Sequence, residues 1–439
     1  MTPEASVQPG SLADVGRRET QLAGLWCQQI SPEQWRAFTA TFLGWTIDAF
    51  DFNILAFVLI DIQKSFTVDR ALAGALGTVT LVTRAIGGIV SGTAADKFGR
   101  KLPLMVSIVW FSIFAVLSGF SHSYAMLFTL RALFGIGMGG EWAAGTPLAL
   151  EHWPARSRGL ASGMLQGGFF WGYLLAAVAF QTIYPVFSSA PHLGWRVMFW
   201  IAILPAVLTL WVLAGVSESP VWLEHQQRSR EAVDDARNES SISLLRIFRR
   251  DLRGTTILTT ALMSAFMCSG YSLAFWYPTL LRDSGRSTLP YLVAFNLGAI
   301  VGVVTWGRIS ETILGRRGAV TIAALAGIGA IPLYLHGSSA MALCVGALTM
   351  GAFGGGMFGV VPAYVTEMFP TATRGIGPGF AYHIGAAVAS VVPVLMGLIQ
   401  DRGLPLADIM TIAIAVTLVL SAGLMWLGPE PRGRNLNET

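Results

Sequence analysis

The sequence predicts an all-α integral membrane protein, with twelve transmembrane helices in two six-helix pseudo-symmetric bundles. Three observations predict it. Hydrophobic residues make up 53% of the 439 and charged residues 12%, where soluble domains carry about 25% charged. Apolar stretches of about 20 residues or more recur along the chain, long enough to cross about 30 Å of hydrocarbon. The third is a duplication. The run G-T-A-A-D-K-F-G-R-K from Gly92 to Lys101 returns as G-R-I-S-E-T-I-L-G-R-R from Gly307 to Arg317. Glu151 with Arg158-Gly159 returns as Glu367 with Arg374-Gly375, an offset of 216. A period near half the chain length points to two halves that rock against each other.

The elements follow in order. Residues 1–37 are polar and read as a cytoplasmic N-terminal tail. They lack the basic-then-apolar start and cleavage site of a signal peptide. Six spans come next, at about 38–61, 71–95, 102–121, 124–150, 157–181 and 195–216. They make an N-terminal bundle over 38–216. A polar linker occupies 217–253, and its run R-S-R-E-A-V-D-D-A-R-N-E-S-S is expected to lie as an amphipathic helix on the inner surface. Spans at about 255–281, 290–310, 318–336, 340–366, 376–400 and 404–427 make the C-terminal bundle over 254–427. Residues 428–439 form a second cytoplasmic tail.

With the N-terminus inside, the inner segments hold 21 of the 29 Lys and Arg residues and the outer segments 6. This bias sets both termini in the cytoplasm of a cell inner membrane. It also accounts for the net charge of +4 without a nucleic-acid partner. The three cysteines, Cys27, Cys268 and Cys344, show no paired spacing. No cofactor, metal site or catalytic constellation is expected, because no ligand cluster or nucleophile–base motif has a recognisable spacing. Gly135 and Gly139 of span 4 form a small-x3-small face for close helix approach. They repeat as Gly351 and Gly355 of span 10.

The loop Gly92–Lys101 fits G-x3-D-[RK]-x-G-[RK]-[RK] at every position. In this it resembles the signature between helices 2 and 3 of the major facilitator superfamily. The copy at Gly307 departs from it, with Glu311 for the aspartate and one extra residue before Gly315. W-T-I-D-A-F-D-F from Trp45, R-A-L-F-G-I-G-M-G-G-E-W from Arg131, S-E-S-P-V-W-L from Ser217 and the tail G-P-E-P-R-G-R narrow the resemblance. Together they look like the metabolite:H+ symporters, in particular lactate, pyruvate and sialate carriers. Aromatic-acid carriers share the paired aspartates, and sugar carriers share the E-S-P element.

The duplication separates two kinds of residue. Structural and gating residues should appear in both halves, whereas residues for chemistry need appear once. Asp96, Arg100, Glu151 and Arg158 recur as Glu311, Arg316, Glu367 and Arg374 at corresponding places, and together with Lys101 they read as gates. A carboxylate there can accept from a helix N-terminus, and the basic residues can reach acids or lipid phosphates.

The ionisable residues deep in spans are not repeated. At the same offset Asp48 maps to Ser264, Asp51 to Met267, Arg131 to Ala347 and Glu141 to Met357. An ion in hydrocarbon costs at least about 2.5–3.5 kcal/mol on insertion scales, so such groups are functional candidates. Asp48 and Asp51 share a helix face and resist joint ionisation. With Glu141 they are the candidates for proton coupling. Arg84 and Arg131 are candidates for a substrate carboxylate. Gln166, Tyr277, Asn296 and Tyr382 are candidate neutral ligands, and the proline after Trp276-Tyr277 suggests a kink.

The expected activity is proton-coupled symport of a small organic anion, a monocarboxylate such as lactate or pyruvate, or sialate. The expected partners are that substrate, protons and the bilayer, with the chain acting as a monomer. The alternatives are an aromatic-acid or sugar symporter and, from another class, a membrane nutrient sensor that moves nothing. The short tails argue against the sensor.

Overall fold

The computed structural model describes residues 30–68, 70–188, 190, 192–201, 203–231, 243–400 and 402–433. Arg17, Arg18, Cys27, Arg237, Arg434 and most of the mixed-charge linker run lie outside the described residues. Among those described, all regular structure is helical.

Span 1 is Pro32–Phe66. Its start is set locally: Ser31 Oγ accepts from Gln34 N, the Gln34 side chain accepts from Ser31 N, and Pro32 occupies the first turn. Spans 2 and 3 are Arg70–Phe98 and Lys101–Ser118, joined through Gly99 at φ +95°. That left-handed backbone favours glycine. It turns the chain tightly enough for Arg100 to point back at span 2. Span 4, Tyr124–Glu151, begins at a Ser123 cap on Met126 N. Span 5 is Arg158–Thr182, and span 6 is built from Leu193–Trp200 and Ile203–Ala214.

The linker contributes a helix at Pro220–Glu231 and a short turn at Ser243–Arg246. Span 7 is Arg253–Ala274 and Tyr277–Asp283, broken at Phe275-Trp276 ahead of Pro278. Spans 8 and 9 are Leu289–Ile309 and Gly315–His336. Span 10 runs as Ala340–Met350, loosens to a π turn at Gly351–Gly355 and a 3-10 turn at Gly356–Val360, and ends as Val361–Met368. Its glycine run gives the backbone more freedom and so weakens the preference for a regular α ladder, and π turns appear at such places. Span 11 is Ile376–Ala389 with Val392–Gln400, and span 12 is Leu406–Leu427.

Ten helical stretches are long and apolar enough to cross a membrane by themselves. Spans 4 and 6 complete the twelve. Span 4 carries Arg131 and Glu141 inside it, and both are buried. Side chains such as Val90, Trp211, Ile257 and Val301 are exposed around the outside, which is the arrangement for a lipid solvent. One core fills the N-terminal bundle, around Ile54, Phe111 and Phe134. Another fills the C-terminal bundle and takes in Trp45 and Trp142 from the first half.

The halves meet through spans 2 and 11, spans 5 and 8, and spans 4, 5 and 10. A side chain at Gly163 would overlap the Val303 carbonyl oxygen, and one at Gly307 the Gly159 carbonyl oxygen. Spans 5 and 8 therefore touch backbone to backbone. Ser162 Oγ donates to Gly359 O at 2.6 Å and accepts from Ala363 N at 3.0 Å. These meetings lie toward the end of each span nearest the linker. That face of the molecule, called the linker face below, is shut.

Candidate functional site

Two ion-pair clusters bridge the halves at the linker face. In the first, Arg100 Nη1 pairs with Asp96 at 2.8 Å and Nη2 with Glu151 at 3.3 Å. Glu151 also receives Arg374 of the other half at 3.1 Å and Ser219 Oγ at 2.6 Å. Asp96 reaches across to cap span 11, accepting from Gly375 N at 2.7 Å and Ile376 N at 2.9 Å. The carboxylate thus meets the positive end of a helix. Arg100 Nη2 adds a bond to Thr371 O, also in the other half, at 3.0 Å.

The second cluster is its pseudo-symmetric counterpart. Arg316 pairs with Glu311 at 3.1 Å and Glu367 at 2.9 Å, and Glu367 receives Arg158 across the interface at 3.2 Å. Glu311 accepts from Gly159 N at the start of span 5. Each interfacial glutamate therefore serves one arginine of its own half and one of the other. The copies differ at the acid. Asp96 takes two amide hydrogens, whereas the longer Glu311, followed by one extra loop residue, takes one.

Burial raises Glu311, in the loop after span 8, above its ordinary 4.5, against the pull of Arg316 and Gly159 N.

Lys101 departs from expectation. Its ammonium pairs with no acid. It donates to Ala214 O and Val216 O at 3.2 and 2.6 Å. The carbonyls at the C-terminal end of span 6 are a favourable seat for a cation, so Lys101 braces its own half.

Two further acids act here that sequence reasoning missed. Glu218 accepts from Arg100 N and Lys101 N at 2.8 and 3.1 Å, capping span 3. Glu430 accepts from Arg316 N and Arg317 N, both at 3.0 Å, capping span 9. The signal was present: S-E-S-P after span 6 and G-P-E-P after span 12 repeat at an offset of 212. Trp222 Nε1 adds a bond to Asp96 O at 3.0 Å, tying the linker helix to the same cluster.

Deeper in the membrane lie the unrepeated charges. Asp48 of span 1 pairs with Arg84 of span 2 at 3.2 Å, both buried. The Arg84 guanidinium carbon lies 5.4 Å from the ring centres of Trp45 and of Tyr382. Tyr382 comes from the second half and stacks on Trp142 at 4.1 Å. Beside it, His383 Nε2 donates to Gly139 O across the interface at 2.8 Å. Asp51 and Glu141 are fully buried, and neither has a hydrogen-bond partner for any carboxyl oxygen. Arg131 is wedged between the Phe134 and Phe199 rings, 4.2 and 4.6 Å away. Its Nε donates to Ser118 Oγ at 3.3 Å, while Nη1 and Nη2 are unpartnered.

The neutral candidates are placed unevenly. Tyr382 joins Arg84. Gln166 is buried in span 5. Asn296 Nδ2 donates to Leu292 O of its own helix at 2.8 Å. Tyr277 packs inside the second bundle, stacked on Tyr334 at 4.1 Å. The break in span 7 turns it toward span 9 rather than toward Arg84. Sequence reasoning gave Trp45 and Trp142 no part, yet they wall the Arg84 group. No cluster of three metal-ligating side chains occurs among the described residues.

Comparison with known proteins matches this architecture. The family model of the Major Facilitator Superfamily covers residues 41–382. The chain is 30% identical to a "Probable 4-methylmuconolactone transporter" of Cupriavidus pinatubonensis, with 93% of each chain covered. It is also 30% identical to the "Sialic acid transporter NanX" of Escherichia coli, covering 92% of this chain and 96% of that one. In fold it is similar to the proton:xylose symporter XylE of E. coli, with a TM-score of 0.72. That likeness spans 92% of this chain and 98% of XylE at 20% identity. The duplicated latches, the twelve spans and these matches lead to one conclusion: the chain belongs to the major facilitator superfamily, and is a multi-pass membrane transporter rather than an enzyme.

Proposed function

We propose that the protein is a proton-coupled symporter that imports a small organic acid by alternating access, as a monomer in the cell inner membrane with the linker and termini in the cytoplasm. One observation carries the coupling. Asp48, Asp51 and Glu141 are buried in one bundle, and five of their six carboxyl oxygens have no hydrogen-bond partner. Ionised carboxylates in that state are costly. Asp51 and Glu141 fit the site as neutral acids and Asp48 as the partner of Arg84, so these groups can take a proton on one side of the cycle and yield it on the other. Arg84 and Arg131 supply the positive charge for an organic anion. The linker-face clusters are the inner gate, shut in this state, and Asp96, Arg100, Glu151, Arg158, Glu311, Arg316, Glu367 and Arg374 are its bolts.

Among organic acids, the sequence alone favoured lactate, pyruvate or sialate. The ring cluster of Trp45, Trp142 and Tyr382 around Arg84 supports a second reading, an aromatic acid, whose ring would gain contact area there. The test is uptake into proteoliposomes under an inward proton gradient, with labelled lactate, pyruvate, sialate, benzoate and xylose. Accumulation of one acid, abolished by a protonophore, is expected. Accumulation of xylose alone, or of nothing, refutes the organic-acid assignment.

A further inference from the structure

Arg84 is only half satisfied. Its guanidinium has a side-on edge of two donors, Nε and Nη2, suited to both oxygens of one carboxylate. Asp48 uses one donor through one oxygen: Nη2 meets Oδ2 at 3.2 Å, while Nε and Asp48 Oδ1 are both buried without a partner. The contact is single rather than bidentate, so a ligand carboxylate that takes both donors would satisfy Arg84 more fully than Asp48 does.

The surroundings point the same way. Trp45 and Tyr382 flank the guanidinium, so its charge is screened from lipid and its edge is the part left for a ligand. Trp45 belongs to one half and Tyr382 to the other. A ligand on that edge therefore touches both halves, as a carrier's substrate must if its binding is to move them.

We propose that the Nε–Nη2 edge of Arg84 is the seat of the substrate carboxylate, and that Asp48 is an internal stand-in which the substrate displaces. The proposal rests on the organic-acid reading above. A carboxylate that takes both donors satisfies Nε and releases Asp48. Asp48 then faces a guanidinium whose charge the substrate already neutralises, and the other titratable groups directed at it are Asp51 on its own helix, Glu141 of span 4 and Tyr382 of span 11. None of these three is a cation. Asp48 therefore takes one proton from solution as the anion binds, and the net charge of the site is unchanged. Anion and proton are coupled at the binding step, before any reorientation.

The test is isothermal titration calorimetry of the full chain in nanodiscs. The probes are benzoate, lactate, pyruvate and N-acetylneuraminate, each in two buffers of different ionisation enthalpy to count protons. The unaltered protein should take up one proton per acid bound. Asp48→Asn removes the competitor and should bind the same acid about tenfold more tightly, with no proton uptake. Arg84→Lys keeps the charge but loses the two-donor edge and should bind at least about tenfold more weakly. If acids bind the unaltered protein but Asp48→Asn is no tighter, or Arg84→Lys binds normally, the seat is wrong and the organic-acid reading stands. If no acid binds either the unaltered protein or Asp48→Asn, both fall. Should Asp48→Asn fail to fold, the proton count and Arg84→Lys decide alone: zero protons or undiminished affinity overturns the proposal.

Discussion

Neutralising Glu151 should unlatch the linker face by a calculable amount. In the shut state Glu151 neutralises two guanidiniums, Arg100 of its own half at 3.3 Å and Arg374 of the other at 3.1 Å, all three side chains fully buried. When the halves part, the Arg100 contact stays with its half and the Arg374 contact is lost. Only the second bears on the balance between shut and open. A hydrogen bond to a charged group is worth about 1.5–3 kcal/mol. Arg374 keeps its bond to Phe369 O at 3.2 Å, which favours the middle of that range. Glu151→Gln should then cost the shut state about 2 kcal/mol, a shift of about 30-fold toward open. The shift is readable as a distance. Phe98 and Ile313 are exposed on the linker face, one in each half. Spin labels at these positions, in a protein freed of its own cysteines, should show a longer-distance population that grows in Glu151→Gln. The double mutant Glu151→Gln with Arg374→Met should open little further than either alone, because each removes the same bond. An unchanged distance distribution, or two fully additive effects, would refute the latch.

One acid of the proposed gate, Glu311, should make it respond to pH. Glu311 is held above 4.5, so its contribution is present below that value and fades as pH rises through the raised one. The shut population should therefore decline with rising pH in the unaltered protein. Glu311→Gln should flatten that dependence in the same label measurement, and a slope that survives the substitution contradicts the assignment. Gly163→Ala should crowd Val303 O where spans 5 and 8 touch. The shut state should weaken while each bundle keeps its fold, seen as more open population at an unchanged helical circular dichroism; loss of helix instead would mean that the contact belongs to folding. Asp48→Asn with Asp51→Asn should abolish gradient-driven uptake but keep exchange of substrate across the membrane, measured by counterflow. Normal accumulation in this double mutant removes these aspartates from proton coupling.

What the sequence revealed followed from how many positions a constraint leaves visible. The bilayer acts on every residue of a span, so apolar length exposed the twelve-helix plan. Duplication prints each structural device twice, so Asp96 and Glu311 stood out before their partners were known. Their geometry followed from chemistry alone, since an acid in a tight loop seeks the nearest helix N-terminus. The Arg84 site was only half legible. A charge in an apolar helix advertises itself, but Trp45, Trp142 and Tyr382 are ordinary aromatic residues in a sequence where 11% are aromatic. Only folding brings spans 1, 4 and 11 together around span 2. Tyr277 misled for the complementary reason. Pro278 marks a break in span 7 correctly, but a break does not say which way the next ring turns, and packing against Tyr334 settled that. Lys101 misled because a basic residue beside a membrane has acids, phosphates and helix carbonyls to choose from. The end of span 6 lay closest.

The division between repeated and unrepeated residues has a physical basis in the geometry. A gate must close against an equal and opposite surface, so its parts are matched: Glu151 with Glu367, Arg100 with Arg316, Arg374 with Arg158. Each acid binds one arginine at home and one across the interface. Symmetry makes the lock reversible, since the contacts within each half survive opening. The proposed coupling site obeys the opposite requirement. If Asp48, Asp51 and Glu141 had counterparts in the second bundle, six carboxyls would share one interior, and their mutual repulsion would oppose loading. Keeping the acids in one bundle leaves the other free to offer neutral contacts, as Tyr382 does above Arg84. The anchor side chains Asp48 and Arg84 both belong to the first half, and Tyr382, which closes over Arg84 opposite Trp45, belongs to the second. In such a carrier the protonation state is set within one rigid body, while the cost of moving is paid at the interface. Substitutions in the latches should therefore change how often the carrier opens without changing its proton count, and substitutions at Asp48 should change the proton count without loosening the latches.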